Sequence, residues 1–307
     1  MNILVTGGAG FIGSQVADAY IEKGHDVVII DNLSTGRKEF INPKAVFYNA
    51  DIADPSVAEV IEKENIQVIN HHAAQISVHD SVKDPVADAN SNIIGTLLLL
   101  QHAVSSGVRK FVFASTGGAI YGEQDCFPAD EEHPQKPSSP YGLSKLTVEG
   151  YLRFYQEQHG LSSTVLRYGN VFGPRQNPRG EAGVIAIFCD RLLKGQTPVI
   201  NGDGEQTRDY VFVGDVVRAN LNAIEQNSSG IFNVGTGLET TVNELTRSLL
   251  RIAGSDILAK NAPGRGYEQR RSCLDNKKIK DSLDWEPRVS LEDGLVDTYE
   301  FFKNHQN

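Results

Sequence analysis

Apolar residues in the first half of the chain alternate between two patterns. Short, unbroken β-branched runs occupy residues 3–6, 27–31, 45–48, 68–71, 110–114 and 163–167. Longer amphipathic stretches lie between them, near residues 12–23, 55–64, 86–106 and 141–159. A strand that is apolar throughout is buried on both faces, so such strands separated by helices predict a parallel sheet with helices on each side. The expected class is α/β, doubly wound. Near Phe172 the alternation stops, and a Gly/Pro/Arg-rich stretch, GPRQNPRGEAG, leads into a predicted helix at about 184–194. A hairpin-like piece, TPVINGDGEQTRDYVFV, precedes a helix from about Asp215, and the last third mixes helices with the loop NAPGRGYEQRRS.

A length of 307 residues suits two domains of roughly 150 residues each. We expect a dinucleotide-binding domain over residues 1–170, a smaller C-terminal α/β substrate domain over residues 171–307, and a segment at about 211–235 crossing back to the first. Lys+Arg 29 against Asp+Glu 39 gives a net charge of −10. Such a surface repels phosphate backbones and anionic lipid, so neither nucleic acid nor membrane is an expected partner. Any anionic small substrate then needs a locally basic pocket. Cys126, Cys189 and Cys273 are too few and too scattered for a disulfide framework, which predicts thiols in a reducing cytoplasm. No apolar run approaches the roughly 18–20 residues of a membrane span. MNILVTGG reaches its glycines too soon for a signal peptide, so a cytoplasmic protein is expected.

The strand NILVT runs into GGAGFIG and then a helix, with Gly7, Gly10 and Gly13 at G-x-x-G-x-x-G spacing. The first glycine permits the tight turn, the second lets a pyrophosphate approach the backbone, and the third lets helix and strand pack closely. The helix start then presents unpaired N–H groups to the phosphates. Asp31 ends the second strand 18 residues beyond Gly13. A carboxylate there accepts hydrogen bonds from the adenosine ribose and repels a 2′-phosphate, which predicts a Rossmann sheet that prefers NAD. Asp51, in NADI, is expected near the adenine.

In SSPYGLSKLTVEGY, Tyr141 and Lys145 stand four apart at a helix start and so share a face. A phenol at its ordinary pKa of about 10 is a poor base at neutral pH. An ammonium one turn away favours the phenolate, as does the positive nicotinamide ring of an oxidised cofactor. The pair can then take and return a hydroxyl proton while a hydride moves to or from the cofactor. His71 and His72 read as strand-end packing, with no acid or cysteine at ligand spacing, and no metal is expected.

Further motifs extend over nearly the whole chain: DNLSTG at 31–36, HHAAQ at 71–75, ASTGGAIYG at 114–122, PYGLSK at 140–145, RYGNVFGPRQ at 167–176, GDGEQTRDYVFVGDV at 202–216 and a late GRGYEQRRS. With these the sequence resembles the extended short-chain dehydrogenase/reductases that act on nucleotide sugars, most closely the UDP-glucose 4-epimerases. The glycine loop and YxxxK are shared by the superfamily, whereas DNLSTG and the two C-terminal arginine segments are more specific to the sugar-nucleotide branch. The resemblance implies tightly bound NAD, contacted by Gly7, Gly10, Phe11, Ile12 and Gly13, by Asp31, Asn32, Ser34, Thr35 and Gly36, and by Asp51 and Ile52. It adds His72, Ala73, Ala74, Asn92, Ser115 and Tyr168 to the cofactor site, together with Tyr141 and Lys145.

Relatives carry a Ser or Thr hydroxyl four residues before the Tyr of the YG motif, which shares the hydrogen of the sugar 4-OH with the catalytic Tyr. Counting back from Tyr121 reaches Gly117. Thr116 is therefore the expected catalytic hydroxyl, with Ser115 in reserve. Sugar-nucleotide 4,6-dehydratases place Asp-Glu directly after the active-site Thr, and UDP-glucuronate decarboxylases place a Glu after it. This chain has Gly117, Gly118 and Ala119 there, which implies an enzyme that moves only a hydride and a proton.

On the substrate side the resemblance implies a UDP-sugar. A helix bearing Val184, Ile185, Ile187 and Phe188 is expected to line the uridine pocket, and Asn170 to contact the diphosphate. Arg208, Arg265 and Arg175 are candidate diphosphate clamps, since a guanidinium grips phosphate oxygens in a planar fork. Gln75, Thr116, Gly117, Tyr141, Val199, Asn201 and Gln206 join the substrate site, and Glu268 matches an acid that contacts the nucleotide ribose. Ser272 falls where relatives carry either a bulky Tyr or a small residue beside the sugar C2. With a small residue there, UDP-GlcNAc/UDP-GalNAc interconversion is expected beside UDP-glucose/UDP-galactose. The helices near 86–106 and 141–159 resemble those that pair into a four-helix homodimer interface. Another UDP-sugar epimerase, for uronic acids or pentoses, and an NAD-binding scaffold without chemistry are the alternatives.

Overall fold

The computed structural model describes residues 1–179, 183–226, 228–264 and 269–305. In its first half, strands β1 (Asn2–Thr6), β2 (Asp26–Ile30), β3 (Val46–Tyr48), β4 (Val68–His71), β5 (Lys110–Thr116) and β6 (Ser162–Tyr168) are joined by helices. These are α1 (Phe11–Glu22), α2 (Ser56–Lys63), α3 (Val78–Lys83), α4 (Pro85–Ala89), α5 (Gly95–Ser105), α6 (Gly117–Ile120) and α7 (Pro140–His159). A π-helical turn, Asn90–Ile94, links α4 to α5. The chain continues through β7 (Asn170–Phe172), α8 (Val184–Leu193), β8 (Val199–Asn201), β9 (Thr207–Arg208), β10 (Tyr210–Phe212), α9 (Val213–Glu225) and β11 (Gly230–Val234). It closes with β12 (Thr240–Thr241), α10 (Val242–Ala253), β13 (Lys260–Ala262), α11 (Lys277–Leu283) and α12 (Leu291–Asn304).

The central sheet has seven parallel strands in the order β11-β6-β5-β4-β1-β2-β3. Alternate residues of its strands enter two separate cores, which explains why the strands are apolar at nearly every position. Ile3, Val5 and Ile29 pack with Val16 and Ala17 of α1 and Val216 and Ala219 of α9. Leu4, Ile30 and Ile69 pack on the other side with Val57 of α2, Leu99 of α5 and Val148 of α7. Strand order reverses between β1 and β4, so the carboxyl ends of these two strands open a crevice at the switch point. Helix α7 reaches that crevice with a well-defined start: Ser139 accepts from the Gly142 N–H and Pro140 occupies the first turn. Gly160, left-handed at φ 68°, ends it.

The stretch TPVINGDGEQTRDYVFV does not form the expected hairpin. β8 pairs in parallel with β13, β9 runs antiparallel to β12, and β10 pairs in parallel with β7. Strands this short carry too few ladder bonds to choose a neighbour by themselves, and the surrounding packing chooses for them. A third core joins Ile185 and Phe188 of α8 to Leu245 and Leu249 of α10 and Leu295 of α12. Beyond the return through α9 and β11, the chain comes back once more. Ile279, Leu283 and Trp285 pack in the core that holds α1 and α9, and the indole N–H of Trp285 donates to Asp215 O at 2.8 Å. Among the described residues no helix is long and apolar enough to cross a membrane.

Candidate active site

The loop after β1 tolerates only glycine at two places. Gly7 is left-handed at φ 68° and a Cβ on it would lie 2.7 Å from Ala73 N. A Cβ on Gly13 would lie 2.3 Å from Gly7 O. Gly10 begins α1 with no side-chain cap, and Phe11 and Ile12 follow half-buried, so the first N–H groups of the helix remain open to a phosphate. Asp31 is buried at the end of β2, where one carboxylate oxygen accepts from Ala9 N–H at 3.0 Å and the other from Leu33 N–H at 2.8 Å. Gly36 leaves room for it, since a Cβ there would lie 2.7 Å from Asp31 Oδ1. The Asn32 amide donates to Asp51 Oδ2 at 2.8 Å, with Ser34 and Thr35 exposed nearby in sequence and Ile52 buried under Gly95. Across the crevice, half-buried Ala73 and Ala74 follow His72, whose Nε2 lies 3.2 Å from the Tyr168 hydroxyl. His72 Nδ1 is buried without a hydrogen-bond partner. Burial and the charge of Lys145 push this imidazole down to about 3, so it is neutral.

Tyr141 and Lys145 share the inner face of α7. Lys145 Nζ donates to Ala114 O at 2.9 Å and lies 6.0 Å from the centre of the Tyr141 ring. Burial pushes the ammonium down to about 8, against upward pulls from Asp88 and Glu149. Burial, and then the charge of Asp88, push the Tyr141 phenol well above its ordinary range. Burial of the phenol works against the phenolate that Lys145 is expected to favour, which leaves a role for the positive ring of an oxidised cofactor.

The two candidate hydroxyls part company. Thr116 is half-buried at the end of β5, where it caps α6 by accepting from Ala119 N–H at 3.3 Å. Ser115 points into the core and donates to Glu149 Oε1 at 2.6 Å, beside the buried Glu149–Arg167 ion pair at 2.6 Å. Its only proton is committed to that carboxylate, which leaves Thr116 as the candidate catalytic hydroxyl. Gly117 is buried, and a Cβ on it would lie 2.6 Å from Leu274 Cδ1, so no larger side chain fits there. The next residue is less crowded. A Cβ on Gly118 would lie 3.9 Å from Asn170 Oδ1 and 4.0 Å from Ser272 Oγ.

Other candidates are held elsewhere. Gln75 donates both amide protons, to Asp88 Oδ1 and to Ser77 O, each at 3.0 Å, and so has no donor left for a substrate. Asn92 accepts from Gln75 N–H at 2.9 Å and donates to Gln75 O at 2.9 Å and Asp88 Oδ1 at 3.0 Å. It fastens the loop after β4 instead of reaching for a cofactor. Arg175 turns to α1, with Nη1 3.1 Å from Ser14 Oγ and Nη2 2.8 Å from Asp18 Oδ2, so it is not a diphosphate clamp. Ile185 and Phe188 lie on the core side of α8, packed with residues of α10 and α12, whereas Val184 and Ile187 are only partly buried. Val199 and Asn201 lie on β8, and Gln206 ties to Asn201 O at 2.9 Å. Half-buried Arg208 on β9 donates to Thr207 O at 2.7 Å. Arg265 and Glu268 lie outside the described residues.

A model of the NAD dependent epimerase/dehydratase family matches residues 3–235. The chain belongs to this family. It is 44% identical over 310 residues to a UDP-glucose 4-epimerase of Mycolicibacterium smegmatis, with 99% of both proteins covered. Among solved structures, a UDP-glucose 4-epimerase with UDP-glucose from Thermotoga maritima superposes with a TM-score of 0.96 at 51% identity, covering 99% of each chain. A UDP-N-acetylglucosamine 4-epimerase from Methanobrevibacter ruminantium M1, in complex with UDP-N-acetylmuramic acid, superposes with a TM-score of 0.95 at 34% identity and covers 99% of each chain.

The cofactor of an NAD dependent epimerase/dehydratase fits the residues present. The glycine cradle that no Cβ can enter suits a pyrophosphate, Asp31 retains acceptor lone pairs for ribose hydroxyls, and the orphaned His72 Nδ1 faces no protein partner. Sequence reasoning missed Asp88, Ser144, Glu149 and Gly118. Glu149 carried a usable signal, an acid four residues beyond Lys145 on the same helical face. Asp88 carried none, because DPVADANSN reads only as the start of a helix.

Proposed function

We propose that the chain interconverts UDP-glucose and UDP-galactose by transient oxidation at C4, with NAD held throughout, and that it also accepts UDP-GlcNAc and UDP-GalNAc. The observation that carries the reading is Tyr141 and Lys145 on one face of α7, with Lys145 tied to β5 at Ala114 O and Thr116 ending that strand next to a Gly117–Ala119 segment without a carboxyl group. Bound NAD supplies a positive ring that favours the Tyr141 phenolate, an acceptor for the C4 hydride, and the same hydride back to the opposite face of the 4-keto sugar. Tyr141 takes the 4-OH proton, with Thr116 sharing the hydrogen bond, and returns it when the ketone is reduced. Lys145 stays charged beside the phenol and stabilises the phenolate.

Reversing the face requires a firmly anchored nucleotide and a loosely held sugar ring, so binding energy belongs in remote contacts. Arg208 and Arg265 are the proposed diphosphate clamps, with Asn170 proposed as a further diphosphate contact and Glu268 as the ribose contact. Residues 1–170 with 211–235 serve the cofactor in this reading, and the remainder serves the UDP-sugar. In this reading the small Ser272 stands beside the sugar C2, and the Methanobrevibacter neighbour named for UDP-N-acetylglucosamine supports the extension to acetamido sugars.

The exposed apolar residues Leu143, Tyr151 and Phe154 of α7, with Val82, Val86 and Ile94 on the preceding helices, are the proposed seam of a four-helix homodimer. The three cysteines are free thiols, which suits the cytoplasm as the proposed location. The test is purified protein with UDP-glucose, UDP-galactose, UDP-GlcNAc and UDP-GalNAc, products resolved by chromatography, and co-purifying NAD measured. Interconversion within each pair is expected. No interconversion in either pair overturns the reading.

A further inference from the structure

Asp88 of α4 is fully buried, and the three side chains that hydrogen-bond its carboxyl group are neutral. Ser144, which lies between Tyr141 and Lys145 in sequence, donates to Asp88 Oδ2 at 2.6 Å. The other oxygen accepts from Asn92 Nδ2 and Gln75 Nε2, each at 3.0 Å. Among the described residues no lysine or arginine lies within ion-pair distance of it. A buried carboxylate without a cation costs several kcal/mol relative to water, and hydrogen bonds from neutral groups offset only part of that. Glu149, the buried carboxylate on α7 itself, is different, because Arg167 neutralises it at 2.6 Å.

We infer that Asp88 is a positioning residue for the proposed reaction: its three hydrogen bonds lock the start of α7, and with it Tyr141 and Lys145, to the loop after β4, and its carboxylate is the counter-charge that Lys145 faces from outside its own helix. The inference rests on the Tyr141 and Lys145 chemistry proposed above. Several groups face Lys145. Tyr141 and Glu149 share its helix, Asp88 approaches from α4, His71 and His72 from β4, and Phe113 and Ala114 O from β5. Both histidines are pushed down by burial and are neutral at working pH. Arg167 pairs with Glu149, so Asp88 is the carboxyl group facing Lys145 that has no guanidinium partner. Its charge pulls the Lys145 pKa up against burial, and it raises that of Tyr141 as well.

The sign follows. Without this negative charge an ammonium is harder to keep and a phenolate easier to form, so both pKa values fall. In the NAD-bound enzyme, Asp88→Asn can retain the bonds: its oxygen accepts from Asn92 and Gln75, and its amide donates to Ser144. Both limbs of the kcat profile with UDP-galactose should then move to lower pH by about one pH unit. Ser144→Ala removes a hydrogen bond but keeps the charge, and should leave both limbs in place. Should Asp88→Asn fail to fold, Asp88→Ser is the second uncharged variant for the same measurement. Limbs that stay at the wild-type pH in a folded, uncharged variant overturn the inference, as does loss of turnover at every pH with NAD still bound. Wild-type turnover in Tyr141→Phe would sink the underlying chemistry instead, and so separates the two failures.

Discussion

Ser115 donates its hydroxyl to Glu149 at 2.6 Å, while the adjacent Thr116 ends the same strand as the cap of α6. Adjacent residues of a strand point to opposite sides, so one hydroxyl belongs to the core and the other to the crevice. Thr116→Ala should lower kcat by about 10- to 100-fold. Ser115→Ala should instead lower stability by about 1–3 kcal/mol, through a lost hydrogen bond to a buried carboxylate. Turnover and thermal melting of the two variants check this, and a kcat loss confined to Ser115→Ala reverses the assignment.

Arg175 and Arg208 make opposite predictions. The Arg175–Asp18 contact is a partly exposed ion pair at 2.8 Å. Arg175→Met should therefore cost about 1 kcal/mol of stability or less and leave the KM for UDP-galactose unchanged. Arg208→Met should raise that KM by about tenfold or more, the loss expected for a charge-assisted bond to phosphate. A KM effect from Arg175 equal to that from Arg208 would restore Arg175 as a clamp.

Ser272 is buried, and its Oγ would lie 4.0 Å from a Cβ on Gly118. Ser272→Tyr adds a ring at the proposed sugar C2 position, and should abolish turnover of UDP-GlcNAc and UDP-GalNAc while sparing UDP-glucose and UDP-galactose. Parallel assays with all four sugars decide it. Equal loss on both pairs contradicts a gate at this position.

Phe154 is 50% exposed and Tyr151 38% exposed on the outer face of α7. Charges there should keep two copies apart, so Tyr151→Glu with Phe154→Glu should sediment as a monomer where the unmodified chain sediments as a dimer. A monomeric unmodified chain contradicts the proposed seam.

The sheet was legible because its strands are buried on both faces, which makes them apolar throughout and hard to mistake. The glycine loop and Tyr141 with Lys145 were legible because phosphate binding and proton transfer each demand particular residues at fixed spacing. Side-chain commitments were not. RYGNVFGPRQ places an arginine near the site, but only the fold shows Arg175 turning to Asp18 on α1. Counting back from Tyr121 reaches Gly117, but only the fold shows Leu274 filling the space beside it. The short strands β8, β9 and β10 were misread as a hairpin because each takes a partner distant in sequence. Asp88 went unseen for the same reason, since its partners Gln75, Asn92 and Ser144 come from three separate segments.

The most direct measurement is incubation of the purified protein with UDP-galactose, with products separated by chromatography. UDP-glucose should form without added NAD, and Tyr141→Phe should lose turnover by about 10²- to 10⁴-fold while still retaining NAD. No UDP-glucose from the unmodified protein, with or without added NAD, or undiminished turnover in Tyr141→Phe, would contradict C4 oxidation at Tyr141.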